Sequence, residues 1–347
     1  VSTETAIAGQ DSVLDLFTKI IGPFSAALLT PLLDEPDNIE ERVGTLVLQF
    51  NSHPQIILPF RKLIASIQNK EPMAVLEEQI RFFTTTQTRN YMLVCLMNEV
   101  LQLRDLQVDL DSGRLPGRAH DLLKYANLAR LKFGEESRYK NLMFAAGLLF
   151  DWCFYLQKSS WMGLHGVKFD EMIDEAFNRG VEQGKLVIRL SRHKGKLTFE
   201  KHAPVIPLLR QLSQVVLSML NPSKGQGFYK NLNSMKYTEP LKLSLEQNQF
   251  GIHSGTVASM IAQSFSIFDP IGEAFQYLGM AHLAHYHQDE PILDLIGIAE
   301  LGILLKENFK PTDFSKSQTV GNGAPELKFL NFTLNDAARA DLNESKK

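Results

Sequence analysis

Apolar residues recur at intervals of three and four along nearly the whole chain, and this spacing constrains the fold more than any other feature. Between Met73 and Leu103 the positions Leu76, Ile80, Phe83, Met92, Leu93, Leu96, Met97, Val100 and Leu101 trace the stripe of amphipathic helices, and Thr84-Thr85-Thr86 breaks the run in two. Val13–Leu33 and Ile39–Ile67 carry the same period, punctuated by Pro31, Pro36 and Pro54, with Asp37 or Asn38 as a cap before Glu40 and Glu41. Beyond the turn-rich Asp111–Gly117 loop the stripe resumes at Leu122, Leu123, Ala126, Ala129 and Leu131. The expectation is an all-α, two-lobed helical bundle with an N-terminal helical lobe over 1–115, a second helical lobe over 116–310 and an extended tail over 311–347.

Within the second lobe, Asn141–Leu156 is apolar on all sides and reads as a central, buried helix, whereas Phe169–Gly184 is more polar and reads as a surface helix. Lys185–Glu200 breaks the helical pattern. Val187, Ile188 and Leu190 precede Gly195, and Leu197 and Phe199 alternate with polar residues, which predicts a small β-hairpin with a basic turn. Val205–Leu220 is helical again, Asn221–Gly227 reads as a flexible connector, and helices are predicted over Thr256–Phe268, Ile271–Leu283 and Ile292–Leu305.

Several function classes are excluded at this level. Thirty-six Lys and Arg stand against thirty-nine Asp and Glu, a net charge of -3, so no broad polyanion-binding surface and no nucleic-acid partner is expected. The longest apolar runs fall well short of the roughly 20 residues of a spanning helix, so no membrane insertion is expected. Cys95 and Cys153 sit in apolar runs, the setting of buried thiols. Val1–Thr5 carries neither the basic start nor the apolar block of a leader, and together with the thiols this gives an expected cytoplasmic location. Gly-x-Ser-x-Gly, Cys-x-x-Cys, His-Glu-x-x-His and phosphate-loop patterns do not occur.

Three stretches, in order, resemble the HDOD family, the HD-related output domain of bacterial signalling proteins. They are Val75–Phe83 followed by Arg89–Val94; Ala145-Ala-Gly-Leu-Leu-Phe150-Asp151, similar to the family's Gly-Leu-Leu-His-Asp; and Phe250-Gly-Ile-His253-Ser-Gly running into Pro270-Ile-Gly-Glu273-Ala274. The resemblance spans roughly residues 20 to 305, with 185–242 as an apparent insertion. It implies a helical HD-like lobe and a role beside two-component or cyclic-dinucleotide pathways.

Active HD phosphohydrolases bind divalent metal through an early-helix His, a His-Asp pair and a later Asp, and the metal activates water. Here the pair is Phe150-Asp151, and phenylalanine has no lone pair to offer. The early-helix position falls at His120 or Asp121, and the family's later tandem His pair falls on Leu278-Gly279. The resemblance therefore implies a vestigial HD pocket at His120, Asp121, Phe150, Asp151 and His253, with no metal, no cofactor and no catalysis. Asp151 reads as a carboxylate bonding a backbone amide or a neighbouring His, and His253 as a neutral capping or core imidazole. His282, His285 and His287 read as a solvated helix end.

Arg189, Arg192, His193, Lys194 and Lys196 form the densest basic run, a solvated tip or a contact for an anion or an acidic partner. The expected function is a non-catalytic bacterial signal-transduction scaffold that acts on a protein partner. The alternatives are a metal-dependent phosphohydrolase with an unorthodox site near His120, Asp151 and His253, or a domain that senses a nucleotide ligand without hydrolysing it.

Overall fold

The computed structural model describes residues 39–52, 54, 57–68, 76–82, 85–101, 123–133, 137–157, 169–194, 200–234, 239–265, 268, 271–278, 295–300 and 302–303. All regular elements among them are helical. The chain divides into two compact units, residues 18–169 and residues 170–347 with 1–17. The boundary expected near 115, the residues His120 and Asp121, the His282–His287 run and the tail over 311–347 lie outside the described residues.

In the unit 18–169 the helices are α1 (Ile39–Ser52), α2 (Ile57–Gln68), α3 (Leu76–Phe82), α4 (Thr85–Leu101), α5 (Lys124–Lys132) and α6 (Ser137–Leu156). The helical period of the sequence is realised directly. Val43, Leu46 and Phe50 of α1 and Phe60, Leu63 and Ile64 of α2 turn inward, and Phe50 meets Phe60 with ring centroids 4.4 Å apart. α3 and α4 are separate helices, the second starting at Thr85, as the threonine run suggests. α6 is the central element: every residue from Leu142 to Cys153 is buried. α5 lies along it at close range because position 147 is glycine. A Cβ there would stand 2.5 Å from the Tyr125 carbonyl oxygen and 2.7 Å from the Ala126 Cα.

In the unit 170–347 the helices are α7 (Asp170–Lys194), α8 (Val205–Leu220), α9 (Pro222–Ser234), α10 (Glu239–Phe250), α11 (Ser254–Gln263) and the short α12 (Ile271–Ala274), which runs into a 3-10 turn over Phe275–Tyr277. α7 corrects the sequence reading. Residues 185–194, expected as the first strand and turn of a β-hairpin, are the last turns of one long helix. Ile173, Phe177, Val181, Val187, Leu190 and Ser191 continue a single buried face at helical spacing, while Glu171, Glu175, Glu182, Arg189 and Arg192 hold the exposed one. The β-branched Val187 and Ile188 suggested a strand, but both are buried, Val187 against Gly302, and tertiary burial outweighs that preference.

α8 is buried throughout from Val205 to Met219 and packs on α7, α9 and α11. α8 lies within the 185–242 stretch that the sequence resemblance sets apart as an insertion. The hydroxyls that such burial would strand are satisfied within the helix: Ser213 donates to the Leu209 carbonyl at 2.7 Å and Ser218 to that of Gln214 at 2.9 Å. A second correction concerns Asn221–Gly227, expected as a flexible connector. Residues from Pro222 onward form α9, with proline at the first helical position, where its missing N–H costs nothing. Gly225 serves close approach there, since a Cβ would stand 2.4 Å from the Ser218 Cα.

No helix among the described residues is long and apolar enough to cross a membrane.

Candidate functional site

The Phe150-Asp151 pair is best understood from the needs of α5. The first amides of a helix have no acceptor inside it, and a Ser, Thr, Asp or Asn before the first turn normally supplies one. α5 has Leu123 at that place, which has nothing to accept with. Asp151 of α6 takes over the task. Its Oδ1 accepts the Tyr125 amide and its Oδ2 the Ala126 amide, each at 2.9 Å, so the carboxylate caps a helix some 25 residues away in sequence. The positive end of the helix favours an anion at this spot, and Lys124 adds a nearby positive charge. Asp151 is 1% exposed, and burial pushes its carboxyl well above the ordinary range, against the two amides and Lys124, which pull it down.

Phe150, at the place where the HD pattern has histidine, is fully buried with its ring 6.1 Å from that of Tyr125. The residues here do not fit a divalent metal. One position is an aromatic hydrocarbon in the core, and both oxygens of the acid face backbone N–H donors. Among the described residues, no three His, Cys, Asp or Glu side chains converge as a metal-ligand group. Cys95 and Cys153 are both buried, and burial pushes the Cys153 thiol up to about 12 and that of Cys95 further, so neither is a thiolate at neutral pH.

His253, the third described residue of the expected pocket, belongs to the other unit. It is the N-cap of α11: its Nδ1 accepts the Thr256 amide at 3.2 Å. Burial holds the imidazole below its ordinary value, with Glu246 acting upward and Arg210 downward.

His253 borders a feature that sequence reasoning missed. Arg210 of α8 donates from Nε to Glu239 Oε1 at 2.6 Å and pairs through Nη2 with Glu246 Oε1 at 3.2 Å. Lys242 Nζ stands 4.0 Å from Glu239 Oε2. Gln214 donates to Glu246 Oε1 at 3.4 Å, and the other oxygen of Glu246 accepts both the amide of Ser254, at 2.7 Å, and its hydroxyl. These four charged side chains are between 0% and 5% exposed, which is tolerable only because two cations meet two carboxylates. Burial alone would raise the Glu239 carboxyl, but Arg210 and Lys242 outweigh it and hold the group below its ordinary value. Arg210 is driven above its ordinary value by the two glutamates despite its burial.

The network ties α8, α10 and the first turn of α11 together. Its signal was present in the sequence as polar stripes inside apolar helices: Arg210, Gln214 and Ser218 recur every four residues in α8, and Glu239, Lys242 and Glu246 share a face of α10.

Of the basic run, Arg189 and Arg192 are exposed on one face of the last turns of α7, and His193 and Lys194 complete that helix; Lys196 lies outside the described residues. Cations at a helix C-terminus complement its dipole. No family model, no curated protein and no solved structure matches this chain.

Proposed function

We propose that the chain is a non-catalytic scaffold of bacterial signal transduction, an HDOD-type helical platform whose degenerate HD position holds two helices together and whose surface engages a protein partner. The observation that carries the reading is the commitment of Asp151: its two oxygens accept the amides of Tyr125 and Ala126, so the acid of the HD-like pair serves the fold. Phe150 beside it removes the neighbouring ligand. Arg189 and Arg192, together with His193, Lys194 and Lys196, are the proposed contact for an acidic face of the partner, because exposed guanidinium groups on one helix face can meet carboxylates in pairs.

The reading is tested by thermal melting of the full chain with Mg²⁺, Mn²⁺, Fe²⁺ and Zn²⁺ and with mono- and cyclic dinucleotides. A ligand at 100 times its Kd adds about 2.7 kcal/mol, a visible shift. A flat panel is expected. A metal-specific rise that Asp151→Asn removes would overturn the scaffold reading in favour of hydrolysis, and a rise with nucleotide alone would replace it with a sensor.

A further inference from the structure

The corner between α10 and α11 is built tightly. Gly251, with φ of 78°, turns the chain out of α10, its amide bonds the Gln247 carbonyl at 2.9 Å, and the Gln247 side chain donates back to the Gly251 carbonyl at 2.5 Å. Two residues later His253 enters α11 in an extended conformation and accepts the Thr256 amide on Nδ1, while Thr256 Oγ1 lies 3.3 Å from Nε2. Histidine is an uncommon N-cap, and it differs from Ser, Thr or Asn in one respect: a ring nitrogen accepts only while it carries no proton.

The charged groups that act on the ring are Glu246 and Glu239 of α10 and Arg210 of α8. Lys242 of α10 belongs to the same cluster, and Arg179 of α7 acts on Lys242. Arg210 and Lys242 balance Glu239 and Glu246, so the cluster is formally neutral only beside a neutral imidazole. The ring is partly exposed, which leaves a protonated imidazole a way to water. Gly255 makes room for the ring in its capping position, since a Cβ there would stand 3.1 Å from Nδ1.

We infer that His253 is a proton-operated latch on α11: the unprotonated ring caps the helix, and protonation withdraws the cap and turns the ring into a donor. As a donor it competes with Ser254 and Arg210 for Glu246, the carboxylate that ties α11 to α8. The sign follows from burial. A histidine held below its ordinary value stabilises the fold fully above that value, and the contribution is lost as pH falls through it and on through the folded value. Acidification therefore loosens the first turn of α11, which packs on α8 and α12.

The test uses the full chain and His253→Asn, a substitution that keeps a capping acceptor without a titrating ring. Exchange of the Thr256 amide is measured in both proteins, and their ratio removes the intrinsic pH dependence of exchange. Between about pH 7.5 and about pH 5 the ratio of wild type to variant is expected to rise about fivefold. A ratio that stays flat while the His253 ring titrates would overturn the latch. Should the variant fail to fold, the wild type alone decides: the ring resonances and the Thr256 amide shift are expected to titrate with one midpoint, and an amide indifferent to the ring's protonation would refute the proposal.

Discussion

The two units bury acidic groups in opposite ways. In residues 18–169 a carboxylate, Asp151, is answered by backbone: two amides at the start of α5 donate to it, and burial still dominates, so its carboxyl lies above the ordinary range. In residues 170–347 Glu239 is answered by side-chain charge: Arg210 and Lys242 reverse the effect of burial, and its carboxyl lies below its ordinary value. Backbone dipoles pull less on an acid than a full positive charge a few ångströms away, so the choice of partner decides which way burial moves a titration. It also decides what fails when the partner is removed: in one unit a helix start loses its acceptor, in the other a charge is stranded in the core.

The largest effect is expected from Arg210→Met, which leaves Glu239 and Glu246 buried without their guanidinium. Breaking such a pair costs about 3–5 kcal/mol, whereas Arg210→Met combined with Glu246→Gln, which leaves Lys242 paired with Glu239, should recover much of the loss. Denaturant unfolding of the single and double variants checks this, and equal losses in both would break the contrast between charge-paired and backbone-paired burial. Next comes Asp151→Ala, which strands the Tyr125 and Ala126 amides. A loss of roughly 2–4 kcal/mol is expected, with a smaller one for Asp151→Asn, which keeps one accepting oxygen. Urea midpoints rank the two.

The smallest and most discriminating effect is the order of acid unfolding. Glu239, with its folded value depressed, contributes stability that is present above its ordinary value and lost as pH falls through the folded one; His253 has the same sign at higher pH. Asp151 has the opposite sign: the folded state takes up its proton first, so this group does not weaken its unit as pH falls. Hydrogen exchange resolved along the chain should show residues 200–263 losing protection at a higher pH than residues 137–157.

Much of the fold was legible because helix period survives any topology. The buried run of α6, the break before α4 and the burial of Cys95 and Cys153 follow from local pattern. Val187 and Ile188 misled because β-branched residues are favoured in strands when neighbours are ignored, and α7 carries both on a buried face. Gly225 read as flexibility because a sequence does not state that Ser218 lies against it. The capping of α5 by Asp151 was half visible: a lone acid in an apolar helix announces a partner, but which amides it meets depends on how α5 docks. The Arg210 network was hidden because each member, taken alone, looks like ordinary surface charge.

The most direct test of the scaffold reading is exchange protection of the Tyr125 and Ala126 amides, measured with and without Zn²⁺ or Mg²⁺ in the wild type and in Asp151→Ala. If Asp151 serves the helix start, protection falls in the variant and is unchanged by metal in the wild type. Loss of protection on adding metal to the wild type would mean that the carboxylate leaves the amides for the ion, and would contradict the non-catalytic reading of the HD position.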